Sequence, residues 1–154
     1  MGTYAVQIAA WRSAYVIGTA AGSQQSFVER LGANQVIDYG TTAFQDIVSE
    51  VDVVLDTVGG LTEERSWRVL KRGGILVSIV SGESGKAVPP PGLDVRGKFF
   101  IVQPDQRQLI KLGELLDDGH VIPVIERVLP LSRIQEAFAM ASQKGKKGKV
   151  VLTT

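Results

Sequence analysis

Apolar residues recur along this chain with two periods that alternate from end to end. Residues 2–11, GTYAVQIAAW, carry them at helical spacing, whereas AYVIGTA (residues 14–20) is a contiguous β-branched and aromatic run and reads as a strand. Phe27 and Leu31 mark the next helix, with Ser23 as its cap and Gly32 as its stop. NQVIDY is a short buried strand. Thr42 and Gln45 form a capping box ahead of Phe44, Ile47, Val48 and Val51 at helical spacing. VDVVLDTVGG (residues 51–60) is the most strand-like run in the chain, and a helix over residues 61–71, the pair Gly73-Gly74 and the strand ILVSIV follow. Residues 81–94 read as a loop, with three adjacent prolines, and KFFIVQ resumes as a strand. Asp105 and Gln108 cap a helix with Leu109, Leu112 and Leu116 as its buried stripe, ended by Gly119. VIPVIERVLPL alternates weakly, and its prolines suit an edge strand. Ser132 and Gln135 cap the last helix, which turns Ile134, Ala137, Phe138 and Ala141 to the core, and GKVVLTT closes the chain as a strand.

Strands separated by helices of this length predict a parallel sheet, and right-handed crossovers then put helices on both faces. The strands are apolar on both sides, as a doubly covered sheet requires. The expected fold is doubly wound, parallel α/β, whose ligands bind beyond the carboxyl ends of the strands.

Composition narrows the function. At 154 residues, 44% hydrophobic and 21% charged, the chain can bury a core, and its net charge of +1 gives no reason to expect nucleic acid or a membrane surface as partner. It has no cysteine and a single histidine, His120, so neither a thiolate nor a histidine-built metal site is expected. No apolar run approaches the roughly 20 residues of a membrane span. No secretory signal opens the chain, and a cytoplasmic protein is expected.

Candidate chemistry is sparse. Between Gly18 and Val28 there is no Asp or Glu to hold a ribose 2′-hydroxyl and no Lys or Arg for a 2′-phosphate, although Thr19, Ser23 and Gln24 can hydrogen-bond a phosphate. Asp38, Asp52 and Asp56 sit at strand ends, where carboxylates commonly serve turns. Lys144, Lys146, Lys147 and Lys149 read as a solvated turn, His120 as a residue at a helix C-terminus, and Trp11 and Trp67 as helix packing.

The segments GTYAVQIA, LGANQVIDY, VDVVLDTVGG, SWRVLKRGGILVSI and GKVVL, in this order and spacing, resemble the medium-chain dehydrogenase/reductase superfamily. The likeness runs through essentially the whole chain and is to the zinc-independent branch of NADPH-dependent quinone oxidoreductases and related alkene reductases. VDVVLDTVGG also superficially suits a methyltransferase, but the GKVVL ending does not.

The resemblance implies a Rossmann-like fold in which NADPH, with NADH as the alternative, delivers hydride to a quinone or an activated alkene without a metal. It places Gly2 by the pyrophosphate, and Thr19, Ala20, Ser23, Gln24 and Tyr39 around the adenosine end. Thr57 and Val58 would touch the ribose–nicotinamide side, and Val80, Ser81, Phe100 and Ile101 would line the nicotinamide pocket. No residue is assigned to catalysis. Relatives carry a strand and a Gly-Gly-Val-Gly loop directly before TYAVQIA, so the chain is expected to start inside a longer reading frame. It would then lack the first strand of the cofactor domain and the N-terminal catalytic domain. Residues 1–119 would be a truncated dinucleotide-binding domain, and residues 120–154 a strand–helix–strand segment returning to the absent part. The neighbours of the absent strand would expose backbone groups that cost about 1–3 kcal/mol each if buried unpaired, and KVVLTT is a candidate to fill the gap. The partners implied are a small-molecule substrate once a catalytic domain is supplied, and a second copy in a homodimer through the strand of Phe100 and Ile101. The chain alone would be inactive. The alternative is a non-catalytic Rossmann-like nucleotide-binding or interaction module.

Overall fold

The computed structural model describes residues 1–80, 87–143, 145 and 147–154. In chain order the elements are α1 (Gly2–Trp11), β1 (Ile17–Ala20), α2 (Gln25–Arg30), β2 (Gln35–Asp38), β3 (Val51–Asp56), α3 (Leu61–Ser66), β4 (Leu70–Ser78), β5 (Arg96–Phe99), α4 (Gln106–Asp117), β6 (Ile125–Pro130), α5 (Ile134–Ser142) and β7 (Lys149–Thr153). Short 3-10 turns lie at Gly22–Gln24, Phe44–Asp46, Trp67–Val69 and Leu131–Arg133. Every strand pair among the described residues is parallel: β1 with β2, β4 with both β3 and β5, and β6 with β7. The architecture is the expected α/β one.

The chain forms two compact units. One is split in sequence, Met1–Gly40 with Gln106–Thr154; the other is the middle of the chain, Thr41–Asp105. In the split unit, Gly32 ends α2 at φ +109°, and a Cβ there would lie 2.7 Å from that of Ala10. Past the end of α4, Gly119 takes φ +72° and Val121 donates its N–H to the Leu115 carbonyl. In the middle unit, Trp67, Leu70, Leu76 and Ala87 form the buried core, with Val54 and Val95 packed against it. The β3–β4 ladder is interrupted: Val51 faces Leu70, but Val53 faces Ile75.

Several elements depart from the sequence pattern. The helix expected from Phe44 to Val51 is one 3-10 turn, because Val51 already opens β3, and so short a segment cannot repay helix nucleation. The helix expected over residues 61–71 stops at Ser66, since Leu70 is drawn into pairing with Val51. The strand expected in KFFIVQ lies earlier, at Arg96–Phe99, and leaves Phe100 and Ile101 beyond its end. Neither Ser23 nor Ser132 caps a helix: 3-10 turns lead into α2 and α5, whose N-caps are Gln24 and Arg133, neither making a side-chain capping bond.

Burial differs too. α4 buries Leu115, while Leu109, Leu112 and Leu116 are exposed; α5 buries Ala137 and leaves Ile134, Phe138 and Ala141 exposed. In β3, Val53 and Leu55 are 57% and 43% exposed, so this strand is not covered on both faces. KVVLTT pairs with β6 and fills no other gap. Trp67 is a core residue, as expected of a packing tryptophan.

Candidate functional site

Each unit brings some of the candidate residues to the carboxyl ends of its parallel strands. In the middle unit this end is organised by Asp56, the last residue of β3 and only 3% exposed. A buried carboxylate is tolerated only when its oxygens are hydrogen-bonded. Asp56 Oδ1 accepts the N–H groups of Val58 (3.0 Å) and Gly59 (2.9 Å), and Oδ2 accepts the Ser78 hydroxyl (2.9 Å). The strand-end carboxylate serves a turn, as the sequence suggested, and it also ties β3 to β4. Gly59 takes φ +78°, and a Cβ on it would reach 3.0 Å from Val80 Cγ1, so the turn lies against Val80. The Ser78 carbonyl accepts the N–H of Phe100 at 3.0 Å.

These contacts gather Thr57, Val58, Val80 and Phe100, with Ile101 next in the chain. Val58, Phe100 and Ile101 stand 65%, 45% and 71% exposed, giving apolar surface beside a turn whose backbone is fixed. Ser81 lies outside the described residues. Glu63, in the first turn of α3, has its carboxyl held above the ordinary range, chiefly by burial and then by the charge of Asp56; the Ser78 hydroxyl opposes the shift.

In the split unit, Thr19 and Ala20 end β1, and Tyr39 follows β2 and donates its N–H to the Ala20 carbonyl at 3.2 Å. The Tyr39 ring is exposed. Ser23 and Gln24 lie in the 3-10 turn after β1; Ser23 is exposed, and Gln24 Nε2 donates to the Gly145 carbonyl at 2.7 Å. Gly2 opens α1, is exposed, and a Cβ there would meet no atom within 4 Å. Asp38 Oδ1 accepts the Gly40 N–H at 2.9 Å, and its carboxylate lies where a Cβ on Gly22 would have to go. Asp52 forms an exposed ion pair with Lys71 that lowers its pKa. The Trp11 and His120 rings lie 5.9 Å apart.

Sequence reading missed Ser78 and Glu63. Ser78 stood inside the apolar run ILVSIV as its one hydroxyl; a buried hydroxyl among Leu76 and its neighbours needs a partner, and that was the available signal. Among the described residues no three His, Cys, Asp or Glu side chains come together to hold a metal, and none of their helices is long and apolar enough to cross a membrane.

Residues 31–152 match the family described as zinc-binding dehydrogenase. The chain is 34% identical over 145 residues to "Probable zinc-binding oxidoreductase, mitochondrial" of Arthroderma benhamiae, covering 89% of this chain and 43% of the relative. It is 30% identical over 156 residues to the "NADPH-dependent alkenal/one oxidoreductase, chloroplastic" of Arabidopsis thaliana, covering 99% of this chain and 37% of the relative. Among solved structures, the quinone oxidoreductase from Coxiella burnetii superposes with a TM-score of 0.82 at 27% identity, over 98% of this chain and 48% of the other. The chain thus spans less than half the length of these relatives.

Proposed function

The chain belongs to the zinc-binding dehydrogenase family, and from that premise we propose that it is the nucleotide-binding part of an NAD(P)H-dependent oxidoreductase that reduces a quinone or activated alkene by hydride transfer. The relatives' names support the reaction class: one is an NADPH-dependent alkenal/one oxidoreductase, another a quinone oxidoreductase. The observation that carries the reading is the fixed turn after β3: Asp56 holds the Val58 N–H and the Ser78 hydroxyl, Gly59 lies against Val80, and Phe100 is tied to the Ser78 main chain. Exposed apolar side chains above an ordered backbone suit a flat heteroaromatic ring, so the residues fit a nicotinamide.

The reduced nicotinamide would supply the hydride when bound, and this chain's residues would hold and orient it. Thr57, Val58, Val80, Phe100 and Ile101 serve the nicotinamide end, with Ser81 assigned by resemblance alone. Thr19, Ala20, Ser23, Gln24 and Tyr39 would hold the adenosine end, with Gly2 at the pyrophosphate. Both NADPH and NADH remain substrates of this reading, because the turn after β1 carries neither a carboxylate nor a cation of its own. Zinc does not fit the described residues, and no step is assigned to it.

Titrating the chain with NADPH and with NADH, followed by nucleotide fluorescence, tests the proposal. Saturable binding of either nucleotide is expected; a folded chain that binds neither overturns it. A second reading, an interaction module, is favoured by the exposed Leu109, Leu112 and Leu116 of α4. Self-association without nucleotide binding would select it.

A further inference from the structure

Ser78 connects three segments that the proposed function assigns to the nicotinamide end. Its hydroxyl donates to Asp56 Oδ2 at 2.9 Å, and Asp56 in turn holds the N–H groups of Val58 and Gly59. The same hydroxyl oxygen lies 3.3 Å from the Val80 nitrogen, whose N–H it accepts, and 3.2 Å from the Val80 carbonyl oxygen. Its main-chain carbonyl receives the Phe100 N–H at 3.0 Å. Ser78 is 1% exposed, and its bond to Asp56, like the Gly59 N–H bond to the same carboxylate, is shielded from bulk water.

Packing alone does not call for a hydroxyl here. Gly74, Leu76 and Ser78 all face inward along β4, and an apolar residue would satisfy the same face. The buried polar group is retained with every partner in place, and each partner belongs to a segment ending at the carboxyl edge of the sheet. A serine hydroxyl has one proton to give, and the shorter contact gives it to the Asp56 carboxylate. That leaves Asp56 Oδ1 free to hold the turn amides.

We propose that Ser78 is a positioning residue: through its hydroxyl bonds to Asp56 and Val80 it sets the turn after β3 and the end of β4 in the one arrangement that receives the nicotinamide ring. The role rests on the nucleotide reading but is separable from it. Ser78→Ala leaves Asp56 Oδ2 without its donor, whereas Ser78→Thr keeps the hydroxyl.

The test has two arms on the whole chain. In the first, NADPH and 2′,5′-ADP are titrated against wild type, Ser78→Ala and Ser78→Thr. Ser78→Ala is expected to weaken NADPH about tenfold, in line with the loss of a hydrogen bond to a charged group. The affinity for 2′,5′-ADP, which lacks the nicotinamide half, is expected to stay unchanged, and Ser78→Thr is expected to restore NADPH binding. In the second arm, hydrogen exchange of the Val58, Gly59 and Val80 amides is measured without nucleotide. Exchange should quicken in Ser78→Ala while amides in the centre of β4 keep their protection. Equal weakening of both ligands, or unchanged exchange at Val58, Gly59 and Val80 in a folded Ser78→Ala chain, overturns the proposal. If wild type binds neither ligand, the nucleotide reading fails, and the exchange arm alone upholds or overturns the positioning role.

Discussion

The side chain of Gln7 clasps the backbone of Ile122 from both sides. Its Oε1 accepts the Ile122 N–H at 2.7 Å, and its Nε2 donates to the Ile122 carbonyl at 3.2 Å, and to the Thr3 carbonyl at 2.9 Å. The amide side chain thus joins α1 to the segment after α4, 115 residues away. Gln7 is 7% exposed, so its loss would strand buried groups. Gln7→Ala should destabilise the chain by about 1–3 kcal/mol, the cost of leaving buried donors and acceptors unpaired. Gln7→Glu should fare no better, because a carboxylate oxygen would then face two carbonyls. Urea denaturation of the three proteins checks both outcomes.

Gly73 and Gly74 are adjacent, and each is needed for a different reason. Gly73 takes φ +75° at the interruption of the β3–β4 ladder, yet a Cβ there would meet nothing within 4 Å. Gly74 has no such backbone constraint, but a Cβ on it would lie 2.9 Å from the Lys71 carbonyl oxygen and 3.1 Å from that of Val51. Gly73→Ala should therefore cost about 1 kcal/mol of conformational strain. Gly74→Ala must move main chain in two strands and should cost more, about 1–3 kcal/mol. Thermal melts of the two variants in parallel separate strain from crowding.

What the sequence disclosed follows from how local each signal is. β-branched runs such as VDVVLD and helix stops such as Gly32 act over a few residues, and the elements they mark are present. The helix expected at residues 44–51 failed because pairing with β4 claimed Val51, a decision made by a residue 19 positions away. The stripe on α4 could be read for its period but not for its burial: periodicity says which residues share a face, not what lies opposite it. At the candidate site, the turn after β3 was legible from the glycine pair that ends VDVVLDTVGG. The buried bond between Asp56 and Ser78 was not: the apolar run around Ser78 says that its hydroxyl needs a partner, but the partner lies 22 positions away in sequence.

α4 offers a direct contrast on one helix. Leu115 is 4% exposed, while Leu112 and Leu116, on either side of it, are 43% and 42% exposed. Leu115→Ala should cost about 2–5 kcal/mol, combining lost burial with the cavity left behind. Leu112→Ser should change stability by no more than about 0.5 kcal/mol, as for an ordinary surface position. The double substitution Leu112→Ser, Leu116→Ser should also reduce self-association, because it removes two adjacent apolar side chains from solvent-facing surface. Denaturant midpoints and sedimentation velocity measure the two effects independently.

The raised titration of Glu63 predicts that the stability of the middle unit depends on pH. Its carboxyl titrates above the ordinary glutamate range because burial and the Asp56 charge both disfavour its ionised form, with Glu64 adding to the repulsion. A carboxyl with a higher pKa in the folded chain than in the unfolded one binds its proton more tightly when folded. Its favourable contribution is fully present below the unfolded value and is lost as pH rises through the folded one. Glu63→Gln keeps the shape and removes the charge, so the variant should melt higher than wild type at neutral pH, with the difference vanishing in acid. Ser78→Ala should shift the Glu63 titration further upward, since the Ser78 hydroxyl is the group that opposes the rise. Asp56→Asn should shift it down by removing the neighbouring charge. Melting temperatures measured from acid to neutral pH, together with an NMR titration of the Glu63 carboxyl, separate these outcomes. A Glu63→Gln curve parallel to wild type across that range would show that the Glu63 charge plays no part in the pH response.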